Sequence, residues 1–184
     1  MSRPKILLGV TGSVAAKLTP QLAAALEGIG ELQVIATAPS LYFWKRTDIT
    51  ARSWIDEDEW TGPGYVRDQD IPHISLGDWA DALVIAPLSA NTLAKLALGF
   101  SDNLLSCLYC AWPSDKPVIV VPAMNTRMWE NPRTKAHLAD LAGRVNHHVV
   151  DPVSKRLACG TTGVGAMADI NEIVLAVQNA LASH

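Results

Sequence analysis

The amino-acid sequence predicts a single doubly wound α/β domain, in which layers of helices cover a mostly parallel sheet. Short, predominantly apolar runs recur along the chain, and such runs are typical of strands buried on both faces. Between them lie longer stretches whose apolar residues recur at helical spacing. The first strand, the first helix and the second strand follow one another within residues 5–36, which indicates a parallel pair joined by a right-handed crossover.

Strands and helices alternate, and glycine and proline mark their ends. Gly28 and Gly30 follow the first helix, Gly99 ends the helix after the third strand, and Pro117 and Pro122 bound the fourth strand. The predicted strands are residues 5–11, 31–36, 82–87, 117–121 and 147–150, with a short strand-like piece at 73–76. The predicted helices are residues 14–26, 89–98, 102–111, 131–143 and 170–181, with a further helix start at 39–46. This alternation places residues 1–184 in one Rossmann-like domain with a flavodoxin-like three-layer α/β/α arrangement.

Two segments depart from the alternation. Residues 47–71 contain an acidic run at 56–59 and a Gly-Pro-Gly break at 62–64, and we predict an excursion at a sheet edge or a subunit contact. We interpret the acidic run as a solvated face. Residues 151–168 are predicted to form a glycine-bearing loop.

The composition excludes several classes of protein. The chain has 184 residues, of which 49% are hydrophobic and 18% charged, so it is long and apolar enough for one domain with a real core. The formal net charge is −3 and there is no basic stripe, which argues against nucleic acid as a partner. No apolar run approaches the roughly 20 residues of a membrane helix. The N-terminal residues lead directly into a strand, so we expect no membrane association and a cytoplasmic protein.

The three cysteines do not indicate a disulfide framework, because their number is odd. Cys107 and Cys110 have the spacing of a redox pair, but they lie in an apolar helix, where buried cysteines are common. We favour buried thiols. Two cysteines and five scattered histidines do not supply a convincing zinc site, so no metal is predicted.

Small hydrogen-bonding residues collect at three strand-to-helix turns. These turns are residues 11–13, 37–40 and 89–92, and each offers hydroxyls and amide N–H groups at a helix start. Helix N-termini bind anions, although Ser and Asn are also ordinary N-caps. Several such turns on one sheet edge favour a phosphate-bearing cofactor. Because neither Gly-x-Gly-x-x-Gly nor a Walker A motif occurs, FMN fits better than a dinucleotide.

The turn after the fourth strand carries a candidate substrate site. Ligands of open α/β sheets lie beyond the carboxyl ends of strands, which is where Met124 and Asn125 fall. The Asn125 amide could hold a carboxylate or amide of a substrate. In the alternative, Asn125 caps the next helix and Met124, Met128 and Trp129 belong to the core.

A histidine and a cysteine are the candidates for proton transfer. His73 is the most plausible base, because imidazole exchanges protons near neutral pH; the alternative is a structural histidine bonded to backbone. Cys159 lies on a glycine-flanked loop after Lys155 and Arg156, which could lower its thiol pKa. The alternative is a surface loop with an incidental thiol.

Seven motifs together resemble the flavin-containing cysteine decarboxylases, and among them the phosphopantothenoylcysteine decarboxylases. The resemblance covers nearly the whole chain and is specific as a set. The motifs are Gly-Val-Thr-Gly-Ser-Val-Ala-Ala at 9–16, Pro-His-Ile at 72–74, Trp-Ala-Asp at 79–81, Ala-Pro-Leu-Ser-Ala-Asn-Thr-Leu-Ala-Lys at 86–95, Asp-Asn-Leu-Leu at 102–105, Pro-Ala-Met-Asn at 122–125 with Met-Trp at 128–129, and Leu-Ala-Cys-Gly at 157–160 with Gly-Ala-Met-Ala at 165–168.

The resemblance implies roles for individual residues. It implies His73 as the active-site base, Asn125 and the adjacent Met124 as substrate contacts, and Cys159 as the proton donor. A substrate flap at 151–168 would include Arg156, Ala158 and Met167. The residues implied to bind FMN are Gly12, Ser13, Val14, Thr37, Ser40, Ser89, Asn91, Thr92 and Ala123. The family is built from trimers, some of which assemble further, with the flavin at a subunit boundary.

The implied reaction converts 4'-phosphopantothenoylcysteine to 4'-phosphopantetheine in coenzyme A biosynthesis. The substrate thiol would be oxidised by the flavin to a thioaldehyde, after which carbon dioxide leaves because the thiocarbonyl accepts the electrons. The resulting enethiol would then be protonated and reduced.

The chain departs from the family pattern at Thr161, where an acidic residue is expected after the Cys-Gly pair. The departure puts the charge of the flap in doubt but keeps the thiol. We expect a stand-alone decarboxylase, because no fused ligase domain is present. The rival predictions are a peptidyl-cysteine decarboxylase, a non-enzymatic phosphatase-regulatory relative and a flavin prenyltransferase on the same scaffold.

Overall fold

The computed structural model describes residues 3–61, 64, 66–156 and 162–183, apart from the side chains at 156 and 162. Its centre is a six-stranded sheet with the order β3-β2-β1-β4-β5-β6, in which every pairing is parallel. The strands are β1 (Lys5–Val10), β2 (Glu31–Ala36), β3 (Arg52–Trp54), β4 (Ala82–Leu88), β5 (Val118–Pro122) and β6 (His147–Val149). This is the strand order of a doubly wound sheet that reverses direction between β1 and β4, so the predicted fold class is confirmed.

Helices cover both faces of the sheet. They are α1 (Thr19–Glu27), α2 (Asp56–Glu59), α3 (Pro72–Trp79), α4 (Ala90–Leu98), α5 (Leu104–Cys110), α6 (Thr126–Trp129), α7 (Pro132–Ala142) and α8 (Ile170–Ala182). Short 3-10 segments are Val14–Leu18, Ala38–Tyr42 and Arg46–Asp48. The single helix predicted at 14–26 is therefore a 3-10 turn followed by α1, and the predicted helix start at 39–46 lies in 3-10 turns. Pro20 occupies the first turn of α1, where its missing N–H costs nothing.

The core has two layers because neighbouring residues of a strand point to opposite faces. Ala82 and Val84 of β4 belong to a cluster that includes residues of α1 and α8. Leu83 and Ile85 belong to the opposite cluster, with residues of α3, α4, α5 and α7. The β4 strand is buried along its whole length, as the apolar run predicted.

Residues 47–71, predicted as an excursion at a sheet edge or a subunit contact, do lie partly at the sheet edge: they contain the edge strand β3, paired with β2, and the short helix α2. Two other predictions about irregular segments were wrong. Residues 73–76 lie in α3, not in a strand, because Pro72 supplies a preset first helical turn and Pro72, Leu76 and Gly77 bury one helical face. Residues 151–168 hold an antiparallel pair, β7 (Val153–Arg156) and β8 (Thr162–Ala166). None of the helices in the described parts of the chain has the length and apolar character to cross a bilayer.

A hydrogen-bonded trio fastens the edge strand β6 to α5. His147 Nδ1 donates to the Val145 carbonyl at 2.8 Å, so its Nε2 is the acceptor for the Tyr109 hydroxyl, also at 2.8 Å. Arg144 Nη1 in turn donates to the Tyr109 oxygen at 2.9 Å. Burial lowers the pKa of His147 below its ordinary 6.5, against the opposing effect of the Val145 carbonyl. A protonated ring would lose the bond from Tyr109 and face the Arg144 cation.

We expect the free energy of unfolding to fall as the pH drops below about 6.5, since the unfolded chain binds the His147 proton before the folded chain does. The loss should be complete once the pH lies below the lower, folded-state pKa. Urea unfolding of the protein and of His147→Gln between about pH 7.5 and pH 5 measures it, and the variant should show a shallower loss. His148→Gln, at an exposed position of the same strand, is the control and should keep the original slope. Equal slopes for all three proteins would contradict the assignment.

Candidate active site

The candidate site begins at the carboxyl ends of β1 and β4, where the winding of the sheet reverses. Thr11 is fully buried there. Its hydroxyl donates to the Pro87 carbonyl at 2.7 Å and accepts the Ser89 N–H at 2.7 Å. One side chain therefore holds the turn after β1 and the turn after β4 at a fixed separation.

The turn after β2 adjoins these two. A Cβ on Gly12 would lie 2.7 Å from Cβ of Pro39, so only glycine permits this approach. The Thr37 hydroxyl donates to the Val10 carbonyl at 3.1 Å, and the Ser40 hydroxyl donates to the Thr37 carbonyl at 2.7 Å. Both side chains are buried and stabilise the shape of the turn. We call the three turns, residues 11–13, 37–40 and 89–92, the cofactor rim.

Side chains at the start of the rim's helical segments act as N-caps. Ser89 Oγ accepts the Thr92 N–H at 3.3 Å at the start of the nine-residue α4, while Asn91 is exposed. Ser13 Oγ accepts the Ala15 N–H at 3.3 Å, and Val14 is exposed beside it. Capping and anion binding are compatible, because the dipole of a capped helix still favours negative charge at its N-terminus.

The turn after β5 lies next to this rim. Ala123 is buried, and its N–H donates to the Leu88 carbonyl at 3.0 Å. Asn125 Oδ1 accepts the Arg127 N–H at 2.9 Å, so Asn125 does cap α6. Met124 and Trp129 are buried in the cluster on the α3 side of the sheet, as the core alternative predicted. Met128 is exposed, contrary to that alternative.

The β7–β8 pair is docked on the turn after β5. The Met124 N–H donates to the Gly165 carbonyl at 2.8 Å. A Cβ on Gly163 would lie 2.5 Å from Thr126 Oγ1, and one on Gly165 would lie 2.3 Å from the Met124 carbonyl oxygen. The predicted flap is thus anchored through close backbone contacts at its β8 end. Met167, predicted to belong to the flap, is buried in the cluster on the α1 and α8 side.

Three predicted flap residues lie at or beyond the edge of the described part of the chain. The Arg156 backbone ends β7, but its side chain is not described. Ala158 and Cys159 lie outside the described residues. Their assignment stays a prediction from the sequence.

His73 lies in a cleft of about 350 Å³ at the start of α3. Helices that cross between parallel strands run opposite to them, so the N-terminus of α3 lies toward the carboxyl edge of the sheet. The cleft is lined by Glu59, Trp60, Thr61, Gly64, Gln69, Asp70, Ile71 and His73. Among the described residues, none that lines this cleft belongs to the cofactor rim.

The prediction that the acidic run is a solvated face was wrong. Asp56 Oδ1 accepts the Leu104 N–H at 3.2 Å, and burial raises the Asp56 pKa although this hydrogen bond lowers it. Asp58 Oδ2 accepts the Ile55 N–H at 2.8 Å. The Glu59 side chain is only 4% exposed and pairs with the His73 ring. No sequence pattern signals this pairing, because the two residues lie on separate helices joined by an irregular segment.

In the parts of the chain that the structure describes, no group of three or more His, Cys, Asp or Glu side chains could hold a metal ion. The described cysteines, Cys107 and Cys110, are free thiols, and the prediction that they are buried was wrong, because Cys107 is partly exposed and Cys110 is exposed. Burial raises the Cys107 pKa, and the nearby carboxylate of Glu59 raises it further. A raised thiol pKa is the opposite of what a reactive cysteine needs.

Comparison with known proteins matches residues 1–182 to the family described as Flavoprotein. The chain belongs to the Flavoprotein family. A phosphopantothenoylcysteine decarboxylase from Oryza sativa subsp. japonica is 46% identical over 170 residues, which cover 91% of this chain and 76% of the relative. A solved cysteine-to-serine mutant of PPC decarboxylase, complexed with pantothenoylaminoethenethiol, matches with a TM-score of 0.92 at 42% identity and covers 96% of this chain and 97% of that chain. The structure described as the FMN binding protein AtHal3 matches with a TM-score of 0.90 at 42% identity and covers 99% of this chain and 98% of that chain.

The geometry of the cofactor rim fits the phosphate-bearing flavin of this family. The glycine-only contact at Gly12 brings two turns together, and the N-terminus of α4 faces the same edge of the sheet. Backbone N–H groups at such turns bind phosphate without a cationic side chain.

We expect Gly165→Ala to destabilise the fold by about 2 kcal/mol or more, because residue 165 has φ of +139° and its Cβ would strike the Met124 carbonyl. The midpoint of thermal unfolding, followed by circular dichroism, should fall by roughly 4–8 °C. Gly77→Ala is the matched control: its Cβ would meet nothing nearer than 4.0 Å, and alanine is favoured inside α3. A Gly165 variant as stable as the Gly77 variant would show that β8 is not docked as described.

Proposed function

We propose that this chain is an FMN-dependent decarboxylase that converts 4'-phosphopantothenoylcysteine to 4'-phosphopantetheine in coenzyme A biosynthesis. The observation that carries the proposal is the likeness, over nearly the whole chain, to phosphopantothenoylcysteine decarboxylases. The rim, where the winding of the sheet reverses, and the His73 cleft match the two functions this chemistry requires. These functions are a binding site for the cofactor and a proton acceptor. The Cys107 and Cys110 thiols suit the reducing cytoplasm, where we place the reaction.

The cofactor rim and Ala123 are assigned to FMN. The residues that would hold the flavin are Gly12, Ser13, Val14, Thr37, Ser40, Ser89, Asn91, Thr92 and Ala123. When bound, flavin accepts two electrons from the substrate thiol and later returns them, so no external nicotinamide is consumed. Thr37 and Ser40 act by holding the shape of their turn, whereas Ser89 and Thr92 present the start of α4 to the cofactor.

The substrate contacts are assigned to the turn after β5 and to the flap. The Asn125 amide nitrogen donates to the substrate carboxylate, because a carboxylate only accepts hydrogen bonds. Met124, Arg156, Ala158 and Met167 complete the substrate site in this proposal. Loss of carbon dioxide then removes the charge that Asn125 held.

Proton transfers are assigned to two side chains. His73 accepts the proton released when the substrate thiol becomes a thioaldehyde. After decarboxylation, Cys159 would donate one proton to the enethiol, and a hydride, which the reduced cofactor would supply, would complete the saturated product. Without that last reduction the product would lack two hydrogen atoms.

We propose a homotrimer, or an assembly of trimers, in which the active site lies between subunits. Two observations support this arrangement. None of the described residues that line the His73 cleft belongs to the cofactor rim, which is consistent with a site completed by a second subunit. Exposed apolar side chains, Ile74 beside His73 and Val14 and Tyr42 beside the rim, would be covered at such a boundary. Light scattering of the purified protein tests the mass, and a monomer would exclude this arrangement.

The purified protein should be yellow, with the absorbance bands of oxidised flavin, and should convert 4'-phosphopantothenoylcysteine to a saturated amine. Cys159→Ser should release carbon dioxide but accumulate a product that lacks two hydrogen atoms. Absorbance and product mass spectrometry measure both outcomes. A protein that stays colourless after FMN is added, or that acts only on a peptide's C-terminal cysteine, would overturn the proposal.

Replacement of the proposed base should abolish turnover without unfolding the chain. We expect His73→Asn to lower kcat by about 10²-fold or more, the usual contribution of a positioned general base. FMN absorbance and the midpoint of thermal unfolding should stay close to those of the unmodified protein. His148→Asn, which changes an exposed histidine outside the cleft, should retain full activity. Equal activity of the two variants would remove His73 from the reaction.

A further inference from the structure

The buried Glu59 carboxylate contacts His73 at two atoms. Glu59 Oε1 pairs with the ring Nδ1, and Glu59 Oε2 accepts the His73 backbone N–H at 3.1 Å. The Glu59 side chain is 4% exposed, whereas the His73 side chain is 26% exposed toward the cleft. The carboxylate thus lies behind the imidazole, and the imidazole faces the solvent-accessible side.

We propose that Glu59 is a positioning residue that fixes His73 in the tautomer with the proton on Nδ1, so that Nε2 is the atom that accepts a proton from the substrate. The inference rests on the proposed function of this site. An ionised carboxylate only accepts hydrogen bonds, so the ring nitrogen facing Glu59 must carry the hydrogen. A neutral imidazole has one N–H, and Nε2 therefore keeps its lone pair.

The surrounding chain holds Glu59 in place. Helix α2 has only four residues, and two of its other acidic side chains fasten its start. Asp56 accepts the Leu104 N–H at the start of α5, and Asp58 accepts the Ile55 N–H. On the other side of the cleft, Asp70 accepts the Ser75 hydroxyl of α3 at 3.2 Å. The Glu59 carboxylate also acts on the Cys107 thiol, whose pKa is raised first by burial and then by Glu59.

The paired arrangement also matches the change of charge during the reaction. When His73 takes up a proton at Nε2, the ring becomes a cation held by a buried carboxylate. Such a charge-assisted hydrogen bond is stronger than its neutral counterpart. The second bond, to the backbone N–H, prevents the carboxylate from rotating away from the ring.

Glu59→Gln distinguishes positioning from simple packing. Glutamine has one acceptor oxygen for two donors, the His73 backbone N–H and the ring N–H. The backbone cannot give up its hydrogen, so the oxygen stays with it and the amide NH₂ faces Nδ1. The ring must then move its proton to Nε2, and the base is lost although the shape of the side chain is unchanged.

We expect Glu59→Gln, with FMN bound, to lower kcat by about 10²-fold or more with little change in KM. Glu57→Gln is the matched control, because it removes the same charge from an exposed neighbour in α2, and it should leave kcat unchanged. In a His73→Asn background, Glu59→Gln should cause no further loss, since it acts through His73. A further loss of activity in the His73→Asn background would overturn the inference. Full activity of the single variant Glu59→Gln would also overturn it, provided that His73→Asn is inactive. Activity of His73→Asn itself would instead overturn the proposed role of the base.

A second measurement does not depend on whether the Glu59 variant folds. Nitrogen NMR of the unmodified holoprotein, at a pH where the ring is neutral, reports which ring nitrogen carries the hydrogen. Comparison with His73→Asn identifies the signals of His73 among the five histidines. We expect protonated Nδ1 and unprotonated Nε2, and the reverse pattern would overturn the inference.

Discussion

The hydroxyl of Thr11 is the interaction on which the candidate site depends. It lies fully buried between the ends of β1 and β4, donates to the Pro87 carbonyl and accepts the Ser89 N–H. Buried polar backbone groups without partners are costly, so the two strand ends cannot separate without leaving both of these groups unpaired. The point at which a doubly wound sheet reverses is also where a crevice opens for a ligand. A stable fold and a rigid cofactor seat thus have one common cause.

The half of the site that holds the base is built in a different way. Here the chain leaves the regular alternation, and the short helix α2 places three carboxylates on three separate donors. One of them stands behind His73 in the cleft. The rim and the cleft are formed by separate parts of the chain. The sheet fixes the position of the rim, whereas side-chain hydrogen bonds fix the cleft. In the proposed trimer, the contact between subunits would bring the two halves together.

The sequence predicted the regular elements well and the irregular segments poorly. Apolar runs such as that of β4 are buried on both faces, so their composition alone identifies them. The sequence predicted that α4 ends at Gly99, because glycine favours the left-handed conformation that ends helices. Gly99 does adopt that conformation. The edge strand β3 was missed, since Arg52 and Ser53 carry no strand pattern and pair with β2 only in the folded chain. The sequence predicted a strand at residues 73–76, inside α3, because a four-residue window is too short to show the helical period.

By itself, the sequence determined the fold class, the three turns of the rim and the identities of His73 and Asn125 as candidates, because these follow from local patterns and from motifs that resemble a known family. Only the tertiary structure gave Asp56 and Glu59 their partners and placed Met167 in the core. These features depend on contacts between residues distant in sequence, and the free energy of a buried carboxylate is set by the donors around it. The residues 56–59 would be a solvated face in an isolated helix. In the folded chain, Asp56 and Glu59 instead accept hydrogen bonds from Leu104 and His73, while Glu57 stays exposed.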